Sequence, residues 1–318
     1  MKKLQMIKIF LLLLPMSVFA LEPVPLRIGA QAAGTLEWEL SIMALDASDD
    51  FKLQVQDMAT PEAGKIALQS GAVDMIVADW IWVSKLRASG ADLSFYPYSN
   101  ASGALLVRND SPINTITDLR GKRLGIAGGE LDKNWLLLQT LAQQSQFDIN
   151  TAVEKTFAAP PLLSEQLKQG RIDAVLTYWN FAAKLEPEGF RQLIDGKDII
   201  RALGVAEAVP SLGYVFKQRF ANDHKQAMGR FFEASQKAKN LLCTSDAAWQ
   251  KIIPLTKTDN VIVQQTLRQR YCEGIERHWG KAQQQSAEQI YTLLRSSSHA
   301  QLTGDIEHIQ AGTFWTMD

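Results

Sequence analysis

"QSGAVDMIVADWIWVS" occupies Gln69–Ser84, and "KQGRIDAVLTYWNFAA" occupies Lys168–Ala183. Laid over one another without a gap, these stretches and their flanks bring Pro61, Leu68, Gly71, Asp74, Trp80, Lys85 and Leu86 onto Pro160, Leu167, Gly170, Asp173, Trp179, Lys184 and Leu185. Each copy reads as a helix, a glycine stop, a turn with an aspartate, a buried strand and a tryptophan at the strand's carboxyl end. Thr60 and Pro61 suit the N-cap and first position of the first helix, and Gly71 suits its left-handed stop. Asp74 and Asp173 read as turn residues that bond backbone. The same unit is written twice.

Upstream of the first copy, "LRIGAQ" (Leu26–Gln31) reads as a strand and Thr35–Ala47 as a helix. "FKLQVQDM" (Phe51–Met58) alternates apolar and polar residues at the period of a strand. The second copy is preceded by the same order: a strand at Lys122–Gly129, a helix capped by Asp132, and a strand in "AVEKTFAA". Two β-α-β-α-β series imply two α/β lobes, each on a mostly parallel sheet. Tyr96–Arg108 and Val205–Phe216 read as extended crossings between the lobes, and paired crossings are hinge geometry. The expected division is 21–100 plus 212–318 for a discontinuous first lobe and 101–211 for the second. The tail from about Asn222 to Ser296 reads as helices and is expected to pack against the first lobe.

Residues 1–20 stand apart. Lys2, Lys3 and Lys8, an apolar run from Ile9 to Phe19, and small residues before Leu21 form the pattern of a cleavable secretory signal. Cleavage there leaves 298 residues and moves the formal charge from −1 to −4. A periplasmic protein is expected, with no nucleic-acid partner, because such binders concentrate basic charge on one face. A monomer is expected. Cys243 and Cys272 are the two cysteines, and an oxidising compartment makes them a candidate disulfide or two buried thiols.

Signals for catalysis are weak. Gly125–Gly129 lacks dinucleotide spacing, and Ala63–Lys65 is no phosphate loop. His224, His278, His299 and His308 all lie in the tail without a metal-ligand pattern. No cofactor and no metal is expected.

"RIGAQ", "LQSGAVDMIVAD", "SGALLVRNDSPINTITDLRGKRLGIAGG" and "LKQGRIDAVLTYW" together resemble the solute-binding proteins of ABC importers of the nitrate, sulfonate/taurine and thiamine-precursor type. Ser111–Gly125 is the most specific part. The resemblance implies a two-lobed periplasmic binding protein type II fold with two hinge crossings, a helical C-terminal tail and a small organic solute held between the lobes. It also implies permease and ATPase subunits at the inner membrane as partners. Alternatives on the same scaffold are a sensor input to a membrane receptor or a periplasmic enzyme or accessory protein.

Ligands of open α/β sheets bind beyond the carboxyl ends of the strands. Trp80 and Trp179 would then face each other across the cleft, joined by Trp38, Asp79 and Tyr178. Gln31 and Thr35 lie where the first strand meets its helix, and Ser102 and Pro210 mark the crossings. The second-lobe turn reads Gly128-Gly129-Glu130-Leu131-Asp132-Lys133, with Gly129, Glu130 and Lys133 as ligand candidates. Its carboxylates depart from the hydroxyl-rich anion turns of the family. At ~5 Å and an effective dielectric near 20, one like-charge contact costs roughly 3 kcal/mol, which disfavours a bare oxyanion. The expected solute is organic, cyclic or amine-bearing.

Overall fold

The computed structural model describes residues 22–31, 34–44 and 49–317. The signal-peptide reading therefore lies outside the described residues. The first lobe runs β1 (Val24–Gln31), α1 (Leu36–Met43), β2 (Phe51–Met58), α2 (Pro61–Ser70), β3 (Met75–Ala78), α3 (Trp80–Ala88) and β4 (Leu93–Ser99). The chain then crosses into β5 (Ala104–Arg108), β6 (Arg123–Ala127), α4 (Lys133–Gln144), α5 (Ile149–Ala152), β7 (Glu154–Ala158) and α6 (Pro160–Lys168). There follow β8 (Ala174–Thr177), α7 (Trp179–Leu185), β9 (Phe190–Asp195) and α8 (Gly196–Ala202). It returns through β10 (Leu212–Lys217) and ends in α9 (Gln218–Asp223), α10 (Lys225–Thr244), α11 (Asp246–Thr256), α12 (Val261–Glu273) and α13 (Lys281–Ser297).

The strands form two five-stranded sheets, ordered β2-β1-β3-β10-β4 and β7-β6-β8-β5-β9. β1, β2 and β3 are parallel, and β10 runs antiparallel between β3 and β4. The second sheet repeats the plan, with β5 as its antiparallel strand between β8 and β9. This is the two-lobed fold that the repeat implies.

The repeated residues build equivalent devices. Thr60 caps α2 by accepting the Ala63 N–H at 3.1 Å, and Gly71 ends it at φ 80°. Asp74 accepts the Arg27 backbone N–H at 3.0 Å and its Nε–H at 2.9 Å, while the Asp74 N–H donates to the Arg27 carbonyl at 2.7 Å. Asp173 does the same with Arg123, at 2.9, 3.0 and 2.9 Å. The bonds from the Arg123 side chain hold the Asp173 carboxyl below its ordinary range. Each aspartate therefore fastens the helix-to-strand turn to the start of the neighbouring strand, more than the local turn bond expected of it. Lys85 of α3 donates to the Gln301 carbonyl at 3.0 Å, and its counterpart Lys184 of α7 donates to the Thr256 carbonyl at 2.9 Å. Both acceptors belong to the tail.

The tail accordingly spans more than the first lobe. α10 and α11 lie on α1, as expected of a first-lobe layer, but α12 packs on α7 and α13 packs on α4 of the second lobe. Arg270 of α12 grips Glu186 with two bonds, at 3.0 and 2.6 Å. The expectation holds for α10 and α11 and fails for α12 and α13, because apolar periodicity shows that a helix has a buried face, and not which lobe covers it. Cys243 and Cys272 are joined, with Cα atoms 5.8 Å apart, tying the end of α10 to the end of α12.

Two predictions follow from these clamps. Asp74→Ala should cost about 2 kcal/mol, since it strands bonds to a charged group, and Asp173→Ala should cost less. The carboxylates differ in exposure, 10% against 31%, and urea titration of the two variants measures the difference. Closing a loop of this length restrains the unfolded chain by roughly 3–4 kcal/mol. Cys243→Ser/Cys272→Ser should therefore lower the urea midpoint by a corresponding amount, and the wild type under strong reductant should match it.

Candidate functional site

Helices α1, α2 and α3 begin at the carboxyl ends of β1, β2 and β3, and α4, α6 and α7 begin at the carboxyl ends of β6, β7 and β8. These edges face one another, and side chains of the two lobes touch between them. Asp79 is the N-cap of α3 and accepts the Trp82 N–H at 2.9 Å. Its other oxygen lies 3.4 Å from Lys133 Nζ at the start of α4, so one ion pair spans the two lobes. Burial alone would raise the Asp79 carboxyl; Lys133, the Trp82 N–H and Lys65 outweigh it and leave the group below its ordinary value.

Asp132 caps α4, accepting the N–H groups of Asn134 at 2.9 Å and Trp135 at 3.2 Å. Burial pushes its carboxyl up, against Lys133 and these two bonds. Gly128 precedes it at φ 88°, and a Cβ there would stand 2.7 Å from the Tyr178 hydroxyl and 2.8 Å from Asp132 Oδ2. The turn therefore needs glycine twice over, for its left-handed backbone and for its lack of a side chain. Tyr178 lies over it as the N-cap of α7, its phenol raised to about 12 by burial and by the charges of Asp132 and Glu62.

The aromatic contact across the cleft is made by Trp38 and Trp179, edge to face with centroids 6.3 Å apart. Trp38 also meets Trp249 and Tyr271, both at 5.6 Å, and Trp179 meets Tyr271 at 6.3 Å.

Trp80 is placed differently from the wall expected of it. It is 3% exposed, and its Nε1–H donates to the Pro210 carbonyl at 3.1 Å. Its ring lies against Tyr291 and Phe314 of the tail. The repeat sets Trp80 and Trp179 at equivalent first positions of α3 and α7, but the tail encloses only the first. Trp80 thus anchors the second crossing, and Trp38 is what Trp179 meets.

The other candidates are divided. Gln31 ends β1, and Thr35 is the N-cap of α1 with its hydroxyl 3.4 Å from the Tyr98 hydroxyl. Ser102 lies in the first crossing against Gly196, where α8 begins. Gly129 has φ 91° in the acidic turn. Glu130 lines a cavity of about 210 Å³ between α4 and the segment after α13, together with Trp135, Lys155, Phe157 and Ser298. The residues not anticipated are Tyr98, Tyr271, Trp249 and Glu39. Glu39 had a legible signal, since Leu36, Glu39, Leu40 and Met43 fall on one face of α1 and are all buried.

The sequence profile described as NMT1/THI5 like matches residues 48–245. The chain belongs to the NMT1/THI5-like family. A protein of Escherichia coli (strain K12) named as an aliphatic sulfonates-binding protein is 32% identical over 139 residues, a stretch covering 42% of each chain. The match thus spans less than half of that relative. The structure of the periplasmic aliphatic sulphonate binding protein SsuA from Escherichia coli superposes with a TM-score of 0.73 at 19% identity, over 92% of this chain and 98% of the other. The alkanesulfonate-binding SsuA from Xanthomonas axonopodis pv. citri, bound to MOPS, gives 0.69 at 19%, over 93% and 99%. At such identities these two likenesses speak for the family fold alone.

Two outcomes test this geometry. Trp80→Ala should destabilise the unliganded protein by about 3–5 kcal/mol as a buried aromatic, whereas Trp179→Ala, which removes a half-buried ring, should cost clearly less. Asp79, with its folded pKa below the unfolded one, stabilises the protein at neutral pH and loses that contribution as pH falls through the folded value. Urea titrations should therefore find Asp79→Asn less stable than wild type at pH 7, with the gap closing in acid below the ordinary aspartate range.

Proposed function

We propose that this protein is the solute-binding component of an ABC importer, working in the periplasm. It closes two lobes on a small organic solute and presents the closed form to a membrane permease. The family and the two-lobed fold support the binding role, and the sulfonate-binding relatives support the importer. On this reading the chain itself performs no catalysis, and ATP hydrolysis belongs to its partner subunits. Closure replaces water around the solute with protein groups and selects one relative placement of the lobes.

The observation that carries the solute class is the carboxylate at each of two facing helix starts. At the start of α3 the Trp82 N–H is taken by Asp79, and at the start of α4 the Asn134 and Trp135 N–H groups are taken by Asp132. An inorganic anion there would face two carboxylates, one of them already paired with Lys133, whereas an amine or hydroxyl would find an acceptor in Asp132. Trp179, half-buried and backed by the buried Trp38, supplies an apolar boundary, and a cationic group over its indole face gains ~0.5–2 kcal/mol. The proposed solute is an organic, cyclic or amine-bearing molecule.

Native mass spectrometry of protein purified from its own periplasm should reveal a bound organic mass, and calorimetry with that compound sets the affinity. Trp179→Ala and Asp79→Asn should each weaken it about tenfold or more, which corresponds to 1.4 kcal/mol. Tight binding of sulfate or nitrate, or full affinity in both variants, would overturn the proposal.

A further inference from the structure

Glu39 is fully buried in α1. Its Oε1 accepts the Tyr271 hydroxyl of α12 at 2.8 Å, and its Oε2 lies 3.2 Å from the Tyr214 hydroxyl of β10 and 3.1 Å from the Ser235 hydroxyl of α10, which bond each other at 2.7 Å so that one donates onward to the carboxylate. Lys239 Nζ of α10 lies 3.9 Å from Oε2, donates to the Tyr98 carbonyl of β4 at 2.6 Å and stands 4.2 Å from the Tyr98 ring centroid. One carboxylate is thus connected to α1, α10, α12, β4 and β10. Burial pushes its carboxyl up and the Lys239 ammonium down, each opposed by the other's charge.

A buried ion pair contributes little net stability against well-packed apolar residues of the same size. What a fully bonded polar network fixes is geometry, because each member has few alternative partners. The elements joined here are not arbitrary. α1 carries Trp38, whose ring meets Trp179 of the other lobe. α12 carries Tyr271, which touches both tryptophans, and Arg270, which grips Glu186. β4 leads into the first crossing and β10 receives the second.

We propose that Glu39, with Lys239, is a positioning residue for lobe closure, pinning α1 and α12 to the two crossing strands so that Trp38 and Tyr271 present one surface to the second lobe. An apolar contact would permit α1 to turn or slide by fractions of a residue; the directional bonds from two tyrosines and a serine do not. The inference rests on the two-lobed fold and is independent of the solute's identity.

The test needs no ligand. Ile66 on α2 and Leu162 on α6 are 66% and 54% exposed, one on each lobe. Spin labels placed through Ile66→Cys and Leu162→Cys report the lobe-to-lobe distance by pulsed dipolar spectroscopy, in the disulfide-intact protein. The background is then changed by Glu39→Gln/Lys239→Met, which removes both charges and keeps a hydrogen-bonding side chain at the first site. The variant should retain its circular dichroism and melt cooperatively, while its distance distribution becomes roughly twofold wider and shifts to longer values, as for a loosened hinge. A folded variant with the wild-type distribution would overturn the proposal. So would a variant that fails to fold, since the pair would then serve stability alone. Altered solute affinity with unchanged distances would count against this positioning role while leaving the importer reading intact.

Discussion

A helix start exposes four backbone N–H groups that no residue of that helix can bond, and both sheets of this protein deliver helix starts to a single cleft. What the turns supply at those starts decides what else can enter. Thr60 closes α2 with a hydroxyl, while Asp79 and Asp132 close α3 and α4 with carboxylates. α1 differs, because Thr35 makes no side-chain cap and its hydroxyl faces Tyr98 instead. The cleft therefore combines a pair of acidic caps, one lysine that bridges to them, and an aromatic floor. Small changes in turn sequence alter its chemistry without altering the sheets behind it.

Much of this plan was legible in the chain. The gapless repeat revealed two equivalent units, because a strand's apolar run, a glycine stop and a buried aspartate each answer to local backbone rules. Asp79 at a strand end and Lys133 at a helix start were legible as turn residues for the same reason, and the structure pairs them across the lobes. The repeat makes Trp80 the mirror of Trp179, and there the symmetry argument breaks. Its ring is covered by Tyr291 and Phe314, more than 200 residues away, and nothing in its own surroundings announces that contact. Trp38 and Tyr271 meet Trp179 through tertiary packing of the same kind. Glu39 was available to a stricter use of helical period, because a charge on the apolar face of a short helix asks for partners.

The tail resolves what the repeat is for. Lys85 and Lys184 are copies, and each holds a tail carbonyl; Trp80 and Trp179 are copies, and each meets a tail tyrosine. The two units thus carry matching attachment points for a helical layer that packs on both. That layer is itself cross-linked by Cys243–Cys272 and joined to the first crossing where the Asn100 N–H donates to the Gly274 carbonyl at 2.7 Å. Motion between the lobes is constrained at the crossings and again through α12 and α13.

The position of β10 in the first sheet bears on the order in which the chain can assemble. The second sheet is complete once residue 195 is available, and its strands come from one continuous stretch. The first sheet cannot join β4 to β3 until residues 212–217 arrive to lie between them. A chain that emerges from its N-terminus thus has β1, β2 and β3 present with an unpaired flank while the second lobe is still emerging. Exposed strand edges invite pairing with other chains, and contacts between distant residues form slowly. The sheet of the middle segment can thus form from its own strands, whereas the sheet of the first lobe must wait for the chain to return.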